Sequence, residues 1–374
     1  MAKKINRKDF IKASVLTGIG ASTLLSSCAN KKIESTFEDS STSSKKYKWK
    51  MVTTWPPNFP VVGEGASLFA KWVEEMSGGR VIIKVFGSGE LVPAFEVFDA
   101  VSSGAAEMGS GASYYWAGKN PIMPIFTGLP FGMNAQQMNS WLYCGGGLEL
   151  YRELYAKYNL VPFPGGNTGV QMGGWYNKEI NGIEDYKGLK IRMPGLGAKV
   201  IEKVGGTPVL SPGSEIYTNL ERGVIDATEW IGPYHDYKMG FQDISKYYYA
   251  PGWHEPGSNL ELIIDKRLYD DLPKDIQAIL EAAAYRLNMW VLSEFESKNN
   301  EYLKKILEES DVELRTFSKD VLSKLQEATN EVLDELASTN EECKKIYSSY
   351  KSFQDNIKEW AKYSEGYYHE ILKK

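Results

Sequence analysis

The chain has 374 residues, 43% hydrophobic, 13% aromatic and 24% charged, which supplies two ordinary domains with apolar material and excludes both a membrane channel and general disorder. Lys plus Arg number 43 and Asp plus Glu 48, a formal net charge of −5 with no long basic face beyond the first dozen residues, so nucleic acid is not an expected partner. Three cysteines are too few for a disulfide scaffold or a Cys-rich metal domain, whereas 10 Trp and 23 Tyr ask for a use.

Lys3, Lys4, Arg7, Lys8 and Lys12 form a positive region ahead of an uncharged, weakly apolar stretch over 13–25, too short to cross a bilayer comfortably. This pattern predicts an export signal over residues 1–27. Leu25-Ser26-Ser27-Cys28 resembles a bacterial lipobox, which makes Cys28 the expected lipidation site. Arg7-Lys8-Asp9-Phe10 is similar to the twin-arginine export motif but carries Lys8 where the second arginine belongs, so twin-arginine and Sec export both stay open. Removing residues 1–27 takes away five basic residues and one acidic residue, leaving 38 against 47 and a net charge of −9. Residues 28–47, rich in Ser and charge, read as a flexible linker from that anchor. No later segment reaches about 18 uncharged apolar residues, the length of a membrane span. Cys144 and Cys343 remain, and their spacing alone leaves open whether they are bonded.

Strands are expected over 49–54, 81–86 and 107–110, with helices over 65–75 and 94–102 between them, and an aromatic loop at Tyr114-Tyr115-Trp116 follows. The Gly/Pro-rich run 118–132 reads as a surface connection. A second alternating region begins near Pro162, with strands expected over 170–176, 189–193 and 225–230, so the chain is α/β with two lobes. Past Pro273 the composition turns helical: Ile276, Ile279, Leu280, Ala283 and Leu287 make one apolar stripe, and Val321, Leu325, Val332 and Leu336 another. Ile346, Tyr350, Phe353, Ile357 and Trp360 repeat at helical steps, for packing on the same subunit or, in the alternative, on a second one.

The usual catalytic signatures are absent. His235, His254 and His369 show no zinc spacing, there is no nucleophile elbow or phosphate loop, and Gly195-Leu196-Gly197 lacks the third glycine of a dinucleotide fingerprint. What stands out is a set of polar residues at strand ends or in loops: Gln171, Arg192, Glu229 and Glu255. In open α/β folds ligands bind beyond the carboxyl ends of strands, so these four can converge on one cleft.

Four segments, 79–86, 129–133, 188–195 and 215–227, resemble the solute receptors of tripartite ATP-independent periplasmic (TRAP) transporters, and the similarity runs over roughly residues 48–340. Glu229-Trp230-Ile231-Gly232-Pro233-Tyr234 and Gly252-Trp253-His254-Glu255 resemble the branch that binds 2-oxo or 2-hydroxy acids such as pyruvate and lactate together with a cation. The resemblance implies that Arg192 clamps the ligand carboxylate, a role its guanidinium fork suits. It implies further that Gln171, Glu229, the carbonyl of Trp230 and Glu255 supply oxygens to a metal cation, Na⁺ or Ca²⁺, and that Tyr114 and Tyr115 close over the ligand. The sialic-acid branch has Asn where this chain has Trp230, and that indole, with Trp175 and Trp253 near it in sequence, suits a small, partly apolar pocket.

The expected molecule is therefore a two-lobed periplasmic binding protein with a hinge and long C-terminal helices. Lobe 1 takes 48–165 plus about 256–290, lobe 2 takes 166–255, and 291–374 are helices that pack on the lobes, with a homodimer as their second use. It is expected to be lipid-anchored on the periplasmic side of the cytoplasmic membrane, to hand its carboxylate to TRAP permease subunits, and to catalyse nothing. The rival is a secreted glycoside hydrolase with Glu229 and Glu255 as its two carboxyl groups, which gives Arg192 and Gln171 no role.

Overall fold

The computed structural model describes residues 45–372; the expected export signal, Cys28 and most of the expected linker lie outside them. Tyr47–Thr53 (β1), Val81–Phe86 (β2) and Met108–Gly111 (β3) run parallel, with β1 between the other two. Parallel neighbours need crossovers, which Val62–Met76 (α1) and Val97–Ser102 (α2) provide. α1 buries Val62, Ala66, Phe69, Ala70 and Val73 along one stripe, each large side chain contributing about 1.5–3 kcal/mol of burial.

Past β3 comes a 3-10 turn, Ser113–Trp116. The run 118–132 is not the surface connection its glycines and prolines suggested: Ile122, Met123, Ile125, Phe126 and Leu129 are all core. Gly and Pro fix where the chain turns, but the apolar side chains between them decide which way each turn faces. Ala135–Cys144 (α3) opens on a capping box made by Asn134 and Gln137, and Gly147–Ala156 (α4) leads into Leu160–Asn167 (β4).

The second region does not begin near Pro162, where the sequence suggested it would. β4 pairs antiparallel with Asn259–Asp265 (β10), which pairs with β3, so both complete the first sheet in the order β2-β1-β3-β10-β4. Gly174–Tyr176 (β5), Lys190–Arg192 (β6), Thr207–Val209 (β7), Ala227–Thr228 (β8), Tyr247–Ala250 (β9) and Glu313–Thr316 (β11) form a second sheet in the order β11-β9-β5-β8-β6-β7. Gly195–Lys203 (α5), Gly213–Glu221 (α6) and Pro233–Met239 (α7) connect its strands. The strands expected over 170–176 and 225–230 shorten to β5 and β8, so Gln171, Glu229 and Trp230 lie just outside strands.

The chain passes between the sheets at 168–173 and 251–258, and these passages are bonded to one another. Thr168 N–H donates to Ser258 O (3.0 Å), Gln171 N–H to Glu255 O (3.3 Å) and Gly252 N–H to Gln171 O (2.8 Å). A Cβ on Gly252 would stand 2.3 Å from that Gln171 oxygen, so only glycine permits the approach.

After Lys266–Asp270 (α8), the helix Lys274–Glu309 (α9) packs on α1, β4 and α7 and so touches elements of both sheets. β11 interrupts the stretch expected to be helical from 291, because its backbone completes the edge of the second sheet beside β9. Lys319–Ser338 (α10) buries Val321, Leu325, Val332 and Leu336, and Glu341–Ala361 (α11) buries Ile346 and Tyr350. Trp360, expected to pack with them, is 66% exposed, as are Tyr363, Tyr367, Tyr368 and Leu372 on or beside Glu365–Leu372 (α12) to comparable degrees. Cys144 is an exposed and Cys343 a buried free thiol.

Candidate functional site

Arg192 ends β6 with only 1% of its surface exposed, an arrangement that a guanidinium tolerates only if its donors are satisfied. Its Nη1 donates to Glu229 Oε1, its Nε to Ser211 O (3.3 Å) and its Nη2 to the Tyr115 hydroxyl (3.4 Å). Its guanidinium carbon lies 5.3 Å from the Trp230 ring centroid, within cation–π range. Glu229 follows directly on β8, and its backbone N–H donates to Arg192 O (3.2 Å), so the parallel β6–β8 pairing itself sets the two side chains facing each other.

The passages between the sheets supply the rest. Glu255 is buried, its Oε2 accepting from Ser258 Oγ and from Gln171 Nε2 (2.8 Å). Burial pushes its carboxyl up to about 7, against the lowering pull of Ser258, Arg192 and Gln171. One ligand atom each of Glu229, His254 and Glu255 lies within 4.8 Å of the others. His254 Nε2 stands 3.3 Å from Glu229 Oε2, yet neither ring nitrogen makes a well-aligned hydrogen bond; desolvation, and then Arg192, pull its pKa down to about 3, so the ring is neutral. The Gln171 Oε1 is likewise buried without a partner. Two buried carboxylates beside an orphaned amide oxygen present the kind of oxygens a hard cation takes, and His254 places a neutral imidazole next to them.

The first sheet brings Tyr114 and Tyr115, whose rings meet edge to face at 4.6 Å. Although Tyr114 is only half-buried as a residue, desolvation of its hydroxyl, with Tyr115 and Glu255 close by, raises its pKa well above the ordinary value. The next residue, Trp116, donates its indole N–H to the buried Glu261 (2.5 Å), which also accepts from Tyr151 and Tyr155.

Residues expected from the sequence at the site thus meet: Arg192, Glu229, Trp230 and Tyr115 around the guanidinium, Gln171 and Glu255 beside them. Trp175 does not join them. It is core, stacked on Tyr248 at 4.0 Å and bonded to Asp236. His254 was not singled out, although its place beside Glu255 in the motif was the signal. Asp236 had none: it is buried, and accepts from Ile231 N–H, Gly232 N–H, Trp175 Nε1 and the Tyr248 hydroxyl. The rival hydrolase reading requires an open groove for a sugar, but Glu229 and Glu255 are both buried and Glu229 is tied to Arg192.

Residues 51–340 match the model of the bacterial extracellular solute-binding proteins of family 7. The monocarboxylate 2-oxoacid-binding periplasmic protein of Nostoc sp. is 41% identical over 318 residues, 85% of this chain and 87% of that protein. Among solved structures, a TRAP periplasmic solute-binding protein from Pseudoalteromonas atlantica with bound sodium and pyruvate is 43% identical, with TM-score 0.85, covering 87% of this chain and 99% of the other. A TRAP transporter solute-binding protein from Bordetella bronchiseptica, a mixed-occupancy dimer with copurified calcium and picolinate, is 38% identical with TM-score 0.86, covering 88% and 97%.

Proposed function

The chain belongs to the bacterial extracellular solute-binding proteins of family 7, and from that premise we propose that it is the receptor of a TRAP transporter, capturing a small 2-oxo or 2-hydroxy monocarboxylate such as pyruvate or lactate together with Na⁺ or Ca²⁺. The observation that carries this reading is the pairing of one buried arginine with two buried carboxylates and an unpartnered amide oxygen in one enclosed site. A carboxylate ligand alone would face repulsion from Glu229 and Glu255; a cation held by them, by Gln171 and by the carbonyl of Trp230 offsets it. Three of the five guanidinium N–H groups of Arg192 are taken by Ser211, Glu229 and Tyr115, which leaves two for the ligand. Tyr114 and Tyr115 close the site from the other lobe. Because Arg192 and the tyrosines stand on different sheets, a ligand that touches both favours the closed state. The lobes would divide as 48–165 with about 256–290, and 166–255.

In this reading the protein releases its ligand unchanged to membrane permease subunits and catalyses no reaction. Cys28 anchors it by lipid at the outer face of the cytoplasmic membrane; among the described residues no helix is long and apolar enough to cross that membrane. Trp360, Tyr363, Tyr367 and Tyr368 are exposed aromatics too concentrated for a free surface, and supply a homodimer contact through the C-terminal helices. The melting temperature of the mature protein tests the ligand class: a 2-oxo or 2-hydroxy monocarboxylate is expected to raise it when sodium or calcium is present. Stabilisation by dicarboxylates or sugars instead, or by none of these acids, would overturn the assignment.

A further inference from the structure

Trp230 does not hold its place under Arg192 unaided. Its indole Nε1 donates to His235 Nδ1 at 3.2 Å, and the two rings are tilted by only 12° with centroids 6.3 Å apart, as an in-plane N–H···N bond requires. His235 Nε2 is 2.5 Å from the carbonyl oxygen of Pro60. Since an indole N–H can only donate and a carbonyl can only accept, the neutral imidazole has one arrangement open to it: the proton on Nε2 and the lone pair on Nδ1 toward Trp230.

The two ends of this relay lie on different sheets. Trp230 and His235 follow β8 of the second sheet, whereas Pro60 lies between β1 and α1 of the first. The backbone at Pro60 is specifically shaped. Val61 has φ 58° and ψ −64°, and Val62 N–H donates back to Pro60 O at 2.7 Å, which is a γ-turn of the rare, strained kind, here at a β-branched residue. Phe59 meets the imidazole edge to face at 4.6 Å and Phe295 of α9 does so at 5.0 Å. The ring is thus gripped by the first sheet, the second and the helix that touches both. On the far side of Trp230, a Cβ on Gly213 would come within 2.6 Å of the indole, so the ring has little room to move there.

We infer that His235 is a positioning residue for the ligand clamp, holding the Trp230 indole against Arg192 in an orientation available only while the 58–61 turn of the first lobe is seated against it. This rests on the receptor reading above. Without the imidazole acceptor, the buried indole N–H is left unpaired and the ring gains a reason to turn away, taking with it the face that Arg192 lies on. Ligand affinity then depends on a residue that does not itself touch the ligand, and seating of the turn favours the clamp.

The test is a double-mutant cycle read by calorimetric titration with pyruvate in calcium. His235→Phe keeps an aromatic ring and drops both bonds, and is expected to weaken binding about tenfold, as an unpaired buried donor costs. In the Trp230→Phe background, where no indole N–H exists, the same change is expected to cost less than about twofold. Equal losses in both backgrounds mean that His235 only supports the fold, and unchanged affinity in the single variant means that it does nothing for the site; either overturns the inference. If a variant does not fold, the wild-type protein labelled with ¹⁵N in Trp and His answers instead. A scalar coupling across an N–H···N bond between an indole and an imidazole nitrogen is expected, and its absence overturns the inference. Wild-type protein that binds no 2-oxo acid yet shows that coupling overturns the ligand reading and leaves the relay standing.

Discussion

Each half of the site rests on a buried carboxylate that accepts from a tryptophan and from tyrosine, but the two carboxylates are connected differently. Under the first-lobe half, Glu261 accepts from Trp116, Tyr151 and Tyr155, all side chains, and only Trp116 adjoins the site tyrosines. Under the second-lobe half, Asp236 accepts from Trp175 and Tyr248 and also from the backbone N–H groups of Ile231 and Gly232, directly after Glu229 and Trp230. The first is a packing hub that happens to lie near the tyrosines. The second fixes the backbone just after Glu229 and Trp230. The asymmetry extends to the groups themselves: the second sheet's side presents the Arg192–Glu229 ion pair and the first sheet's side presents tyrosine hydroxyls.

The two halves are expected to differ most at the charged end. Arg192→Ala removes the clamp and leaves Glu229 buried without its partner, so pyruvate affinity is expected to fall by about 2–5 kcal/mol, measured by calorimetric titration. A loss no greater than that of Tyr115→Phe would erase the asymmetry. Next come the two anchors. Asp236→Asn and Glu261→Gln each keep shape but turn an amide N–H₂ toward former donors, and each is expected to cost about 1–3 kcal/mol of stability in urea unfolding. Only Asp236→Asn is expected to weaken ligand binding too, about tenfold, with Glu261→Gln within about twofold, because only Asp236 is bonded to the backbone beside Trp230. Tyr115→Phe deletes one long contact to the guanidinium and is expected to cost about 0.5–1.5 kcal/mol of affinity.

A further effect is on pH dependence. Burial pushes the Asp236 carboxyl up to about 6, above the roughly 3.9 of an unfolded chain. Between those values the native state holds the proton that the unfolded state has lost, so this group's contribution to stability falls as pH rises from about 4 to 6 and is level above. The stability difference between wild type and Asp236→Asn, measured by urea unfolding at several pH values, is expected to shift against the wild type across that window. A difference that stays constant would contradict the raised carboxyl.

Much of this was legible in the residues. The stripe of α1, the strand β2 and the apolar positions of α9 and α10 announce themselves by period, since each element presents one face to the core. Arg192 and Glu229 stand out as charge at the ends of expected apolar strands, and Glu255 as charge in a loop beside Trp253 and His254. Less legible was anything that depends on partners distant in sequence. No strand is expected over β4 from the sequence, because its pairing with β10 spans nearly a hundred residues of chain. The run 118–132 carried turn signals that say nothing of burial. Asp236 and His235 sit in a short helix with ordinary spacing, and their roles arise from contacts with Trp175, Tyr248 and Pro60 that no local pattern encodes.

In the proposed receptor, one buried arginine and a pair of buried carboxylates hold an anion and a cation side by side. The structure of the mature protein crystallised with pyruvate and calcium tests it directly. The expected result is a pyruvate carboxylate on Arg192 and a calcium ion bound by oxygens of Glu229, Glu255, Gln171 and the Trp230 carbonyl. Pyruvate bound away from Arg192, or calcium bound without either glutamate, would contradict it.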